Sequence, residues 1–77
     1  MDINDFIKNF ASQFDETAES EFTAQTKFRT EIEEWDSIIA LSVIAMVDEV
    51  YGVIIKGSDI SNSNTVEDLF NIVNSRK

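Results

Sequence analysis

At 77 residues, with no cysteine, histidine or proline, the chain has room for one small domain around one core. It can form no disulfide and no zinc site built on thiolate or imidazole ligands. Fifteen acidic residues against six basic ones give a net charge of −9, a field that repels phosphate backbones and anionic lipid surfaces and argues against nucleic-acid binding. No basic region followed by an apolar run opens the chain, so no signal peptide is expected. The longest apolar stretch, Ile38 to Val47, is interrupted by Ser42 and is too short to span a bilayer. Together these features give the expectation of a soluble cytoplasmic protein. The acidic surface has two readings, plain solubility or the steering of partners with basic patches.

In chain order, Ile3, Phe6, Ile7, Phe10 and Phe14 fall at helical spacing, with Asp2, Asp5, Lys8, Asn9, Ser12 and Gln13 opposite. They predict an amphipathic first helix of roughly three turns, capped by Asp2 or Asn4. Its phenylalanine stripe reads as core. From Asp15 to Asp36 the periodicity is lost. Isolated Phe22, Phe28 and Ile32 are expected to pin an extended crossover onto the bundle, with a helical turn around Glu31–Glu34. About twenty residues is long for a connection without structure of its own.

A second helix is predicted from Ser37 to about Tyr51, closed by Gly52 in the left-handed conformation. Stepping about 100° per residue assigns Ala40, Leu41, Ile44, Val47 and Tyr51 to the core. Ile38, Ile39, Ser42, Ala45, Met46 and Glu49 then form the outer face, which is unusually apolar for a surface helix. Ser37, at its start, has two readings. It either caps the helix by accepting a first-turn N–H, or it is an exposed hydroxyl open to modification, where the free N–H groups and the dipole favour an anion.

Further on, Gly57-Ser58-Asp59-Ile60 predicts a brief third helix with Ser58 as cap and Ile60 inward. The oxygen-rich run from Asp59 to Asn64 fails as a calcium loop, because it lacks Gly at the sixth position and has Phe70 at the twelfth. The acidic residues here and in the crossover read as solvated faces, with no metal site assigned. Thr65 with Asp68 three residues on resembles a capping box. Val66, Leu69, Phe70 and Val73 then form the buried stripe of a last helix, with Arg76 and Lys77 at its negative end.

Asp36-Ser37-Ile38 followed by an apolar helix resembles the Asp-Ser-Leu motif of acyl carrier proteins. The resemblance continues through Asp48-Glu49-Val50-Tyr51-Gly52-Val53, Gly57-Ser58-Asp59-Ile60 and Thr65-Val66-Glu67-Asp68-Leu69, and so covers essentially the whole chain. It implies an all-α fold, a small four-helix bundle of three main helices and one short one, with a long loop between the first two. The whole chain, residues 1–77, is then one carrier domain, expected to be free-standing and monomeric. It also implies a 4′-phosphopantetheine arm on Ser37, with Asp36 and Ile38 completing the attachment motif. The arm is placed by a phosphopantetheinyl transferase from coenzyme A with Mg²⁺. On this resemblance the N–H groups of Ile39 and Ala40 face the phosphodiester, and acyl groups travel as thioesters between synthase, ligase and acyl-transfer enzymes of fatty-acid, polyketide or related pathways. Acyl chains can also slip into a core lined by Leu41, Ile44, Val47, Phe28 and Ile60.

Two departures from the family stand out. Ile39 and Ser42 occupy positions where many carriers have acids, so docking is expected to rest on Ile38, Ile39, Ser42 and Met46, with charge from Glu33, Glu34, Asp36 and Glu49. Trp35 stands where the family has a small residue. It either anchors the loop or takes part in partner recognition.

Without His, no Ser-His-Asp arrangement can form, and adjacent acids on a helix diverge rather than converge on a substrate. No catalytic residues are assigned, and the chain is not expected to be an enzyme. Two alternatives to acyl cargo stay open. One is an aminoacyl carrier of the peptide-synthetase or D-alanyl type, and the other is a carrier-like interaction domain that is never modified.

Overall fold

The computed structural model describes the whole chain, Met1–Lys77. It contains five α-helices and no strand: α1 (Ile3–Ala11), α2 (Phe28–Glu31), α3 (Ser37–Tyr51), α4 (Gly57–Ser61) and α5 (Val66–Arg76), with one 3-10 turn at Glu19–Glu21. The all-helical expectation holds, and the three long helices and the short α4 fall where the sequence puts them. One difference is α2, a single turn inside the crossover. It forms at Phe28–Glu31 rather than Glu31–Glu34, and its buried member is Phe28.

Asp2 opens α1 in an extended conformation, its side chain accepting the Asn4 N–H at 2.9 Å. The helix stops one turn short of Phe14 because the N–H groups of Gln13 and Phe14 donate to the carbonyls of Phe10 and Ala11 in tight turns. Phe14 is buried all the same. The core is unusually aromatic. Phe10 is fully buried, with ring centroids of Phe28 at 5.1 Å, Phe14 at 5.5 Å and Phe22 at 5.8 Å. Phe6, also fully buried, meets Tyr51 at 5.7 Å and Phe70 at 5.6 Å. Such edge and tilted pairs add to the area they remove from water.

Phe22, Phe28 and Ile32 are buried, as expected of the crossover anchors. Backbone bonds also hold this segment. The N–H groups of Val66 and Glu67 donate to the carbonyls of Thr26 and Ala24 at 3.1 and 3.0 Å. The Arg29 guanidinium donates to the carbonyls of Ser61 and Ser63, at the end of α4, where carbonyls lack intrahelical partners.

The inner face of α3 departs from expectation. Its buried residues are Ile39, Val43, Met46 and Val47, whereas Leu41 is 67% exposed. Ala40, Ile44 and Tyr51 pack only partly against the core. The buried face is turned by about one residue step, ~100°, from the expected phase, which exchanges Leu41 for Ile39 and Met46. A helix that is apolar on nearly every side offers two adjacent stripes of similar quality, and the contacts with α1 and α4 select between them. Gly52 ends α3 at φ 67°, its N–H donating to the Asp48 carbonyl at 2.9 Å. This is the left-handed position for which glycine is suited.

In α4 the cap position belongs to Lys56, and Ser58 lies inside the first turn. The Asp59 carboxylate reaches back to accept the Lys56 N–H at 2.8 Å. Ile60 is buried as expected. Thr65 and Asp68 form the reciprocal box at the start of α5, and Val66, Leu69 and Val73 are buried beneath it. Arg76 does not simply sit at the helix end; it donates twice to Asp59, at 2.7 Å each, clamping α5 to α4. Those bonds and the Lys56 N–H outweigh partial burial and lower the Asp59 pKa from 3.8 to about 2. Since the folded carboxyl holds its proton more weakly than the unfolded one, the clamp contributes fully above pH 3.8 and is lost as pH falls towards 2. Asp59→Asn is expected to lower the melting temperature by about 5 °C at neutral pH. The gap between variant and wild type should close on acidification through that window. A gap that is constant with pH, in melts followed by circular dichroism, would show that the clamp contributes nothing through its charge.

Candidate functional site

The residues singled out by sequence converge at the junction where the crossover becomes α3. Asp36 is extended (φ −152°, ψ −177°) and serves as the cap, its Oδ1 accepting the Ile39 N–H at 2.8 Å. Its carbonyl accepts the Ala40 N–H at 3.0 Å. The capping reading of Ser37 is thereby replaced. Ser37 is the first residue inside the helix; it is exposed, and its hydroxyl makes no hydrogen bond to any protein group. The expectation that the Ile39 and Ala40 N–H groups are free is also corrected. The unclaimed N–H groups are those of Ser37 and Ile38, two residues earlier. At α5, by contrast, the first two N–H groups are already taken by crossover carbonyls.

Trp35, just ahead of the cap, is half-buried. Its ring lies nearly parallel to Phe10 at 6.4 Å, edge-on to Phe28 at 4.9 Å and tilted against Phe14 at 6.2 Å. Of its two sequence readings the loop anchor is the one these contacts describe. Glu34 is equally committed. Its carboxylate accepts the N–H groups of Asp15, Glu16 and Thr17 at 2.7 to 3.0 Å and the Thr17 hydroxyl at 2.8 Å. Burial acts to raise its pKa, but the four donors prevail and hold the carboxyl below its ordinary value.

No family model, curated protein or solved structure matches this chain.

Of the residues expected to face partners, Ile39 and Met46 are 7% and 5% exposed and belong to the core. Ser42 is half-buried, while Glu33 and Glu49 are exposed. Glu34, spent on the loop, has no lone pair left for a basic partner. The outer face of α3 consists instead of Ser37, Ile38, Leu41, Ala45, Asp48 and Glu49, with Ile38 71% and Leu41 67% exposed. Ala45 stands on this face as expected; Leu41 and Asp48 are the members whose place sequence reasoning did not find. The cue in the sequence was the line Ile38, Leu41, Ala45, Asp48, whose spacings of three and four end on a charge.

The expected acyl-lining set is altered too, since Leu41 points away from the core. The largest surface groove, about 680 Å³, lies between α1 and the 3-10 turn and is lined in part by Ile3, Ile7 and Phe22, on α1 and the crossover rather than on α3. A second depression, about 380 Å³, is bordered by Glu16, Glu31, Glu33 and Glu34, and no group of three acidic side chains there converges to hold a metal ion.

What the junction can do chemically follows from Ser37. Nothing in the chain polarises its hydroxyl: there is no histidine, and the Asp36 carboxylate is turned to the Ile39 N–H. No side chain of this structure is placed as a base on this oxygen. The two unclaimed N–H groups are suited to an anion held on the same turn.

Proposed function

We propose that the chain is an acyl carrier protein, with Ser37 as the attachment point of 4′-phosphopantetheine. The observation that carries this reading is the division of labour at the start of α3. Asp36 does the capping, so the neighbouring hydroxyl is exposed and unbonded beside two unclaimed N–H groups. In the attachment step Ser37 Oγ forms a bond to the phosphorus of the pantetheine phosphate of coenzyme A. The bond to adenosine 3′,5′-bisphosphate breaks, and the hydroxyl proton passes to a base of the transferase. Once attached, the arm supplies the thiol that the sequence lacks and holds acyl groups as thioesters. The chain's own part is to fix the oxygen, orient the turn and present a surface. The test is incubation of the purified protein with coenzyme A, Mg²⁺ and a broad-specificity phosphopantetheinyl transferase, read by intact mass. One added phosphopantetheine mapped to Ser37 supports the reading; a protein left bare by several transferases overturns it and leaves the interaction-domain alternative.

The docking surface we assign to partners is the ridge of Ile38, Leu41 and Ala45, bordered by Glu33, Asp36, Asp48 and Glu49. An apolar strip within a negative border fits enzymes that present an apolar depression among basic residues. Leu41→Glu is expected to leave the melting temperature unchanged and to raise the transferase KM for this protein by about tenfold. Ile39→Glu, on the buried side, is expected to unfold the domain instead. An unchanged KM for Leu41→Glu would remove Leu41 from the docking surface.

A further inference from the structure

The three residues ahead of Ser37 are each immobilised by a different interaction. Asp36 is held by the Ile39 N–H and Trp35 by the rings of Phe10, Phe14 and Phe28. Glu34 is held by the segment leaving α1. This last tie differs in kind, because it joins the two ends of the crossover across 17 to 19 positions of sequence. Successive N–H groups of Asp15, Glu16 and Thr17 converge on one carboxylate, the concave arrangement by which backbone holds an anion. Here the anion is the chain's own side chain. The Thr17 hydroxyl supplies a fourth bond, which fills the carboxylate's acceptor capacity.

We propose that Glu34 is a positioning residue for modification of Ser37. Its carboxylate latches the exit of α1 to the entrance of α3 and thereby fixes the direction in which the Ser37 hydroxyl is offered to the transferase. The proposal rests on the carrier reading and assigns to Glu34 a role opposite to the surface charge expected from sequence. An exposed hydroxyl on a loosely held turn samples many orientations, and each departure from attack geometry lowers turnover without weakening encounter.

Steady-state kinetics of phosphopantetheine transfer, with the carrier as varied substrate at low and high salt, test this on the full chain. Glu34→Ala is expected to lower kcat by about tenfold with KM held within about twofold, independently of salt. Thr17→Val, which removes one donor and leaves the charge of Glu34 in place, should lower kcat by about two- to threefold. The double variant should be no slower than Glu34→Ala alone, as for two members of one contact. Amide exchange at Asp15, Glu16 and Thr17 should accelerate in both single variants, a readout independent of turnover. If Glu34→Ala does not fold, Thr17→Val carries the test. A rise in KM that salt abolishes would mark Glu34 as a docking charge and overturn the proposal. An unchanged kcat with accelerated exchange at those amides would overturn it too. Wild-type protein that accepts no arm removes the carrier reading and the proposal together, whereas wild type and Glu34→Ala modified with equal kcat remove the proposal alone.

Discussion

Ser37→Ala is expected to abolish phosphopantetheine addition and to leave the fold as it is. Both halves come from the same geometry. The hydroxyl that would be modified makes no hydrogen bond within the protein, and the cap is supplied by Asp36, so removing the oxygen orphans no donor. Alanine is also the best helix former and suits a first-turn position. The melting temperature should therefore stay within about 2 °C of wild type, while the intact mass after treatment with coenzyme A and transferase stays that of the bare chain. Two results would contradict this account. A mass gain that survives the substitution would put the arm on another serine. A fall in melting temperature of about 10 °C would mean that Ser37 is a structural residue after all.

The second large effect concerns stability. Phe10→Ala is expected to eliminate the cooperative thermal transition at neutral pH. Phe10 is fully buried and shares ring contacts with Phe6, Phe14, Phe22, Phe28 and Trp35, joining α1, the crossover and the approach to α3. Truncating a buried phenylalanine typically costs about 3–5 kcal/mol. A core of this size without disulfide or metal supplies about the same amount in total, so little is left to hold the variant folded. Far-UV circular dichroism against temperature and urea decides it. A cooperative transition within about 10 °C of wild type would show that the other rings close over the gap. Because Trp35 stacks on Phe10, residual folded protein should also be modified more slowly.

Parts of this structure are readable from the sequence because their signals are local. The cap at Asp2, the Thr65–Asp68 box, the left-handed Gly52 and the inward stripes of α1 and α5 each involve residues within a turn or two, with polar residues opposite apolar ones. The rotation of α3 is different. With Ile38, Ile39, Leu41, Val43, Ile44, Met46 and Val47 in one stretch, no polar face marks the outside, and only packing distinguishes Leu41 from Ile39. The ties of the crossover escape for another reason. Arg29 to Ser61 and Ser63 and Glu34 to Thr17 join side chains to distant groups, and such bonds leave no periodicity behind. At the junction itself, Ser37 is legible as a motif. The free N–H groups are misplaced because Asp36 and Ser37 are adjacent and equally good caps, and the choice between them is made by the extended backbone at Asp36.

The bonds from Val66 and Glu67 to Thr26 and Ala24 bear on how the molecule breathes. Leading amides of a helix usually exchange with solvent early, since nothing in their own helix shields them. Here that route is shut: α5 cannot fray from its front end without peeling away a strap about forty positions earlier in the chain. The strap and the last helix should therefore open as a single unit with one shared free energy.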